Sequence, residues 1–128
     1  MSGVATSTHC PVLREYFCRL DGSHPERVLQ LLAADFRFVT IWAENDVARP
    51  FAGGVPELRA YFASRDGAGQ RHHILDGKRT EDGSELAAGY ATRDGEPLAS
   101  FLITIRVDSS GRIRRLLAAR TSAYSLLD

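Results

Sequence analysis

The sequence lacks an excess of charge of either sign, because its 16 acidic residues balance its 16 basic residues. A protein without net charge has no overall field that would attract nucleic acid or an anionic membrane surface. No apolar run approaches the roughly 20 residues that a membrane-spanning helix needs. Residues 1–8 are small and polar and do not form a signal-peptide pattern. We therefore expect a cytoplasmic protein without a nucleic-acid partner or a membrane association.

Cysteine is scarce as well, with only Cys10 and Cys18 in the chain. Both lie in one predicted helix, where eight positions at about 1.5 Å each separate their Cα atoms by about 12 Å, too far for a disulfide. We expect two free thiols in a reducing compartment. A metal site is not expected, because the adjacent His72 and His73 diverge on a predicted strand without further cysteine or histidine ligands nearby. No glycine-rich phosphate loop is present, so no cofactor is expected either.

The chain has the length and composition of one folded domain. Its 128 residues are 44% apolar and 25% charged, which is the balance of a globular protein. We find no internal repeat, low-complexity tract or linker. We therefore expect a single domain over residues 1–128, with a flexible N-terminus at residues 1–9.

Apolar residues at helical spacing predict three helices. The first runs from Pro11 to Leu20 and is ended by Asp21-Gly22-Ser23. The second begins after Ser23 and carries its apolar residues between Val28 and Leu32. The third runs from Val55 to Ser64, after the glycine pair that follows Ala52.

Alternating apolar and polar residues predict five strands. Their ranges are Phe36 to Ala43, Arg71 to Arg79, Glu85 to Arg93, Leu98 to Val107 and Arg112 to Thr121. Asp82-Gly83, Asp94-Gly95 and Ser109-Ser110-Gly111 are turn sequences suited to hairpins. Helix, helix, strand, helix and then hairpins is the order of an α+β domain, in which helices cover a curved antiparallel sheet and leave a hydrophobic pocket.

The second face of the predicted sheet is also partly apolar. On the strand from Leu98 to Val107, Leu102 stands on the face opposite Phe101 and Ile103, and the first strand adds Val39 and Ile41 to its second face. A half-apolar sheet face is typically covered by another surface, so we expect a homodimer that forms through the open face of the sheet. A solvated sheet with scattered apolar residues is the alternative.

Three stretches resemble the nuclear transport factor 2-like superfamily, and within it SnoaL-like proteins, scytalone dehydratase and the ketosteroid isomerases. The first is Tyr16 to Asp21, followed by a helix ending in Leu32-Ala33-Ala34-Asp35. The others are the glycine-then-helix stretch from Phe51 to Leu58 and the segment from Arg71 to Leu75. The resemblance covers the chain from about Val12 to Arg120.

The resemblance implies a cone-shaped α+β barrel whose internal pocket binds a small, mostly apolar ligand. In dehydratase-like relatives a tyrosine and an acid near the end of the first helix reach into this pocket together with a strand histidine. Here the matching residues are Tyr16, Asp21 and one of His72 and His73. The family register favours His72 as the inward residue, and a slip of one position would select His73 instead. The predicted ligand-binding residues are Phe38, Thr40, Trp42, Tyr90, Phe101, Ile103, Leu116, Ala118 and Arg120, with Phe36 beside them in the wall.

Structural interpretations of these residues stay open. Asp21 precedes a glycine and a helix start, so capping or turn formation also explains it. Tyr16 also fits a core aromatic residue, and the inward histidine a structural one. The charge of Arg120 needs a partner, which is either a carboxylate of the protein, in an ion pair at the rim, or an anionic group of the ligand.

The chain departs from some branches of the family. Thr40 and Ile103 occupy the places where ketosteroid isomerases carry their two acids, and alanine occurs where scytalone dehydratase has a second histidine, beside Tyr90. The residues of the family pattern that remain are Tyr16, Asp21 and one of the two histidines. They predict a cyclase, dehydratase or isomerase that acts on a small hydrophobic, polyketide-like carbonyl compound. The alternative is a binding or dimeric interaction module of the same fold without catalysis.

Overall fold

The computed structural model describes residues 9–64 and 69–127. Its helices are α1 (Pro11–Leu20), the 3-10 helix η1 (Pro25–Leu31) and α2 (Val55–Ser64). Its strands are β1 (Leu32–Glu44), β2 (Val47–Gly54), β3 (Gln70–Arg79), β4 (Glu85–Arg93), β5 (Glu96–Val107) and β6 (Ile113–Thr121). The predicted flexible N-terminus lies outside the described residues except for its last position.

The six strands form one curved, unclosed sheet in the order β2-β1-β6-β5-β4-β3. All neighbours are antiparallel except β1 and β6, which run parallel. The helices cover one face of the sheet, which we call the inner face, and the opposite face is the outer face. The predicted α+β fold class is confirmed, and the four predicted hairpin strands occur within two residues of their predicted bounds.

Helix α1 is fixed to the sheet by a buried carboxylate. Glu85, at the start of β4, is 1% exposed and accepts hydrogen bonds from the backbone N–H groups of Val12 at 3.0 Å and Leu13 at 2.8 Å. A negative charge at a helix N-terminus satisfies unpaired N–H groups and complements the helix dipole. Tyr16 and Phe17 are buried on the same helix.

The predicted second helix is shorter and tighter than expected. It is a 3-10 helix that ends at Leu31, and Leu32 is already extended, with φ −99° and ψ 142°. The prediction that Leu32 to Asp35 close a helix was therefore wrong. Leu32 pairs with Ile113 of β6, and the two side chains are 4% and 0% exposed. Burial of this pair in the sheet outweighs the local helical spacing.

Strand β2 was not predicted. It forms a hairpin with β1 through Asn45 and Asp46, whose φ angles are 53° and 64°. Two successive residues at positive φ make the tight turn that suits the twist of a hairpin. The strand lies at the edge of the sheet, where Pro50 is tolerated, and most of it is exposed. Apolar and polar residues therefore alternate only weakly along β2. The turn sequence Asn45-Asp46 was the signal that could have revealed this strand.

Both cysteines are free. Cys18 is exposed on α1, whereas Cys10 is 0% exposed and its thiol contacts the Leu86 carbonyl oxygen at 3.5 Å. Burial, with a further contribution from the charge of Glu85, raises the pKa of the Cys10 thiol. Cys10 is accordingly a protonated packing residue at the start of α1. None of the described helices is long and apolar enough to cross a membrane.

Candidate functional site

A cavity of about 110 Å³ lies between the inner face of the sheet and the helices. Predicted site residues line it from α1, β1, β3 and β6, namely Tyr16, Phe36, Phe38, Thr40, Trp42, His72, Leu116 and Arg120. Further lining residues, not predicted from the sequence, are Leu20, Phe51, Leu58, Tyr61, Phe62 and Gln70. The wall is mostly aromatic and aliphatic, as small-molecule sites generally are.

Asp21 and His72 form a close pair at the end of α1. The Asp21 Oδ1 atom lies 2.7 Å from His72 Nδ1, and Asp21 Oδ2 accepts the His72 backbone N–H at 2.6 Å. The side chains are 10% and 4% exposed. Asp21 occupies the C-cap position of α1, but its carboxylate is directed to β3 rather than to a cap or a turn. Because a carboxylate can only accept, the proton of a neutral His72 lies on Nδ1.

Two phenylalanines hold the His72 imidazole from its sides. The Phe17 ring stacks on it at a centroid distance of 4.7 Å and an interplanar angle of 6°. The Phe101 ring approaches at 5.7 Å with a tilt of 56°. Gly89 leaves room for Phe101, because a Cβ on this glycine would lie 2.8 Å from Phe101 Cζ and overlap the His73 carbonyl oxygen. The imidazole is therefore fixed in both position and rotation.

His73 lies on the outer face. Its ring stacks on Tyr90 at 4.8 Å, and its Nε2 lies 3.3 Å from the Thr92 hydroxyl. Successive residues of a strand point to opposite faces, so only one of the two histidines can border the cavity. The pairing of His73 with Tyr90 in the β3–β4 register also places Tyr90 outside the cavity. Tyr90 was predicted to contact the ligand and does not line the site.

Three other predicted ligand-binding residues share the inner face but do not line the cavity. Phe101, Ile103 and Ala118 belong to the hydrophobic core or pack against it. Phe101 pairs with Arg120, and Ile103 with Ala118, across β5 and β6. Strand alternation predicts correctly that these residues lie on the inner face. Whether such a residue lines the cavity or is buried in the core depends on how the helices pack against the sheet.

A row of aromatic rings, only part of which is predicted from the sequence, closes one side of the cavity. The Phe51 ring lies 4.9 Å from Phe38 and 5.6 Å from Tyr61. Phe51 and Tyr61 are 37% and 41% exposed, so this side borders solvent. The spacing of Leu58, Tyr61 and Phe62 on α2 was the available signal, whereas Phe51 stands on the unpredicted strand β2.

Arg120 adds a positive charge to the cavity wall. Its guanidinium carbon lies 3.9 Å from the ring centroid of Trp42, in the range of a cation–π contact. The two residues are neighbours in the parallel β1–β6 register, which fixes their approach. Among residues 9–64 and 69–127 no cluster of histidine, cysteine and carboxylate side chains forms a metal site.

No protein-family model and no curated protein matches the sequence. Solved structures do match, among them a SnoaL-like family protein of Agrobacterium tumefaciens assigned as an isomerase, with 14% identity, a TM-score of 0.65 and coverage of 89% of this chain and 97% of that chain. The β subunit assigned to an aromatic-ring-hydroxylating dioxygenase of Novosphingobium aromaticivorans has 20% identity, a TM-score of 0.70 and coverage of 97% and 94%. A chain of the yeast complex between the deubiquitinase Ubp3 and its cofactor Bre5 has 16% identity, a TM-score of 0.68 and coverage of 89% and 94%.

The chain has the nuclear transport factor 2-like fold. At these identities the likeness concerns the fold, which hosts enzymes and interaction modules alike. Around the mostly apolar cavity of this chain lie the carboxylate-bound imidazole of His72, the phenol of Tyr16 and the guanidinium of Arg120. An imidazole with Nδ1 bound to a carboxylate has Nε2 left to exchange a proton.

Proposed function

We propose that the cavity binds a small carbonyl compound and that His72 removes a proton from the carbon beside the carbonyl. The reaction class is that of a dehydratase, isomerase or cyclase. The observation that carries the proposal is the Asp21–His72 pair, with Nδ1 and Oδ1 2.7 Å apart and a His72 side chain that is 4% exposed and borders the cavity. A buried imidazole held in this way is oriented for proton transfer.

Asp21 determines which nitrogen of His72 reacts. It accepts the Nδ1–H, so Nε2, on the other edge of the ring, keeps its lone pair and acts as the base. When Nε2 takes the proton, the C–H electron pair moves into the enolate, and the Asp21 carboxylate stabilises the imidazolium that forms. The same proton returns to another carbon in an isomerisation, or to a leaving hydroxyl in a dehydration. No cofactor is needed for either step.

Tyr16 is the proposed donor to the enolate oxygen. Its side chain is 8% exposed and lines the same cavity as His72. A phenol hydroxyl in an apolar wall stabilises developing negative charge more strongly than it does in water, because the surrounding dielectric is low. The base is a histidine here rather than an acid, in keeping with Thr40 and Ile103 at the places of the ketosteroid isomerase acids.

The test is deuterium exchange at the carbon beside a carbonyl. Butanone, cyclohexanone and 2-oxobutyrate are incubated with the protein in D₂O, and loss of the α-proton signals is followed by ¹H NMR. We expect the wild type to accelerate exchange of at least one compound over buffer and His72→Gln to abolish the acceleration. His73→Gln is the matched control, because His73 stands on the outer face, and it should retain the wild-type rate. A His72→Gln rate equal to that of the wild type would exclude His72 as the base.

A non-catalytic binding or interaction module is the second candidate. The observation that favours it is the outer face, where Leu86, Leu102 and Leu117 are 47%, 63% and 50% exposed. Binding of a carbonyl compound without any acceleration of exchange would support this candidate over the enzyme.

We propose that the outer face is covered by a second copy of the chain. Cross-strand neighbours Leu102 and Ala119, with Leu117 on the next row, line a groove of about 610 Å³. Asp76 and Lys78 border the same groove, so two copies related by a twofold axis could pair opposite charges at the rim while their leucines pack at the centre.

Light scattering coupled to size-exclusion chromatography tests the dimer. We expect a dimer for the wild type and a monomer for Leu102→Lys, because the change places a charge at the centre of the apolar face. Val47→Lys is the control, since Val47 is 51% exposed on the β1–β2 hairpin and should leave the dimer intact. A monomeric wild type at micromolar concentration would contradict the proposal.

We also propose that the protein works in the cytosol. The support is chemical: both cysteines are free, and Cys18 is exposed. Exposed thiols persist in a reducing compartment and are oxidised in most others. Fractionation of cells that express a tagged chain would test this assignment.

A further inference from the structure

Five aromatic rings of the cavity wall form one continuous row. The ring of Phe36 lies 5.8 Å from that of Phe38, which contacts Phe51 at 4.9 Å. Phe51 contacts Tyr61 at 5.6 Å, and Tyr61 contacts Phe62 at 5.8 Å, which ends the row. Each pair lies within the distance at which aromatic rings attract each other. The row joins β1, β2 and α2, so each ring helps to hold its neighbour in place.

The buried part of the wall is firmly packed. Phe36, Phe38 and Phe62 are buried, as are Leu58 on α2 and Leu116 on β6. Phe38 and Leu116 are also neighbours in the β1–β6 register. Buried side chains pack as densely as molecules in organic crystals, so extra atoms force side chains and backbone to shift. The wall therefore resists widening, and the cavity keeps its size.

The size of the cavity limits the ligand. A cavity of about 150 Å³ admits benzene, and this one measures about 110 Å³. In proportion, it encloses about four or five non-hydrogen atoms. A six-membered ring exceeds this space, and so do the fused rings of a polyketide-like compound. The expectation drawn from the sequence is narrowed accordingly.

We propose that the site is selective for acyclic carbonyl compounds of about four or five non-hydrogen atoms, such as butanone, and that Leu58 and Phe62 set this limit. That the ligand bears a carbonyl group rests on the proposed function. The size limit itself rests on the cavity volume and on the row of aromatic rings. Leu58 and Phe62 lie four positions apart, so one face of α2 bounds the cavity.

Trp42 provides a direct test, because it is the chain's single tryptophan, lines the cavity and gives one indole N–H signal in a ¹H–¹⁵N spectrum. Butanone and acetophenone are both methyl ketones, and they differ by an ethyl against a phenyl group. Without a size limit acetophenone would bind more tightly, because it buries more apolar surface. We expect the opposite order: butanone shifts the Trp42 signal with saturation, and acetophenone binds at least about tenfold more weakly. Equal or tighter binding of acetophenone, or no shift with either compound, would overturn the proposal.

Variants of α2 test which residues set the limit. Phe62→Ala removes a phenyl group from the wall and Leu58→Ala an isopropyl group, so both should improve acetophenone binding relative to butanone, Phe62→Ala the more. Leu58→Ala is the smaller change and decides the question if Phe62→Ala does not fold. Ile105→Ala is the matched control, because Ile105 is buried in the core outside the cavity, and it should keep the wild-type order. The wild-type order in a folded α2 variant would show that other residues set the limit.

His72→Gln separates the size limit from the proposed function. This variant should still bind butanone more tightly than acetophenone, although we expect it to lose proton exchange. A wild type that selects butanone without accelerating its exchange would contradict the proposed function and leave the size limit in place. Conversely, exchange of acetophenone accelerated as much as that of butanone would overturn the size limit and leave the proposed function in place.

Discussion

The carboxylate of Asp21 holds His72 at two points, through Nδ1 at 2.7 Å and through the backbone N–H at 2.6 Å. One bond fixes the rotation of the ring, and the other fixes the strand that carries it. The contact joins residues 51 positions apart and links the end of α1 to β3. Asp21 thus fixes the position of His72 and, in the proposed reaction, also selects its tautomer.

Asp21→Asn separates these two effects. An amide has one acceptor oxygen and one NH₂ donor, so it keeps both contacts only when its NH₂ group donates to Nδ1, which moves the His72 proton to Nε2 and removes the base. We expect proton exchange to fall by about 100-fold or more and the free energy of unfolding by about 1–3 kcal/mol.

The measurements are deuterium exchange and urea unfolding. Asp35→Asn is the control, because Asp35 forms an exposed ion pair with Arg114 at 3.2 Å and should change neither quantity appreciably. Wild-type exchange in a folded Asp21→Asn protein would show that the carboxylate does not assist His72.

Glu85→Gln tests the attachment of α1. Glutamine keeps one acceptor for the N–H groups of Val12 and Leu13 but removes the charge that faces the helix N-terminus. We expect the free energy of unfolding to fall by about 1–3 kcal/mol, measured in urea. The exposed Glu96→Gln should stay within about 0.5 kcal/mol of the wild type. Equal stability of the two variants would mean that α1 does not depend on this cap.

Gly89→Ala tests how the imidazole is positioned. The added Cβ would overlap the His73 carbonyl oxygen and press on Phe101, so β3, Phe101 or both must move. We expect a loss of about 1–3 kcal/mol together with a changed His72 chemical shift. Gly95→Asn is the control, because nothing lies within 4 Å of a Cβ there and asparagine tolerates the positive φ. An unchanged His72 signal in Gly89→Ala would contradict the role given to Phe101.

Local sequence patterns predicted most of the fold because its four hairpin strands and two α-helices depend on neighbours in sequence. Burial against β6 made Leu32 the start of a strand, which no local pattern encodes. At the site, alternation was sufficient to place Phe38 and Arg120 on the inner face. The partnership of Asp21 with His72 needed tertiary structure, because spacing does not reveal which side chains meet.

Acid should weaken the fold through carboxylates with lowered pKa values. The Gly54 backbone N–H lowers the pKa of Glu57, and the Thr80 hydroxyl lowers that of Asp82 well below its usual range. A hydrogen bond from a serine hydroxyl lowers the pKa of Asp108. In the unfolded chain these groups titrate near pH 4. Their contribution is therefore present above about pH 4 and is lost as the pH falls through the folded-state values.

Urea unfolding at pH 6, 4 and 3 measures this effect, and we expect stability to decline from pH 4 downwards. Glu57→Gln should reduce the decline, because glutamine still accepts the Gly54 N–H but cannot take up a proton. Glu96→Gln should show the wild-type decline. A free energy of unfolding that stays constant between pH 6 and pH 3 would show that these carboxylates do not stabilise the fold.

In the proposed reaction, His72 presents an unprotonated Nε2 to the cavity while it donates its Nδ1–H to Asp21. Long-range ¹H–¹⁵N NMR of the imidazoles at neutral pH, assigned with His72→Gln, measures this tautomer directly. We expect the Nδ1–H form of His72 in the wild type and a mixture of the two forms in Asp21→Asn. A wild-type His72 in the Nε2–H form would contradict it.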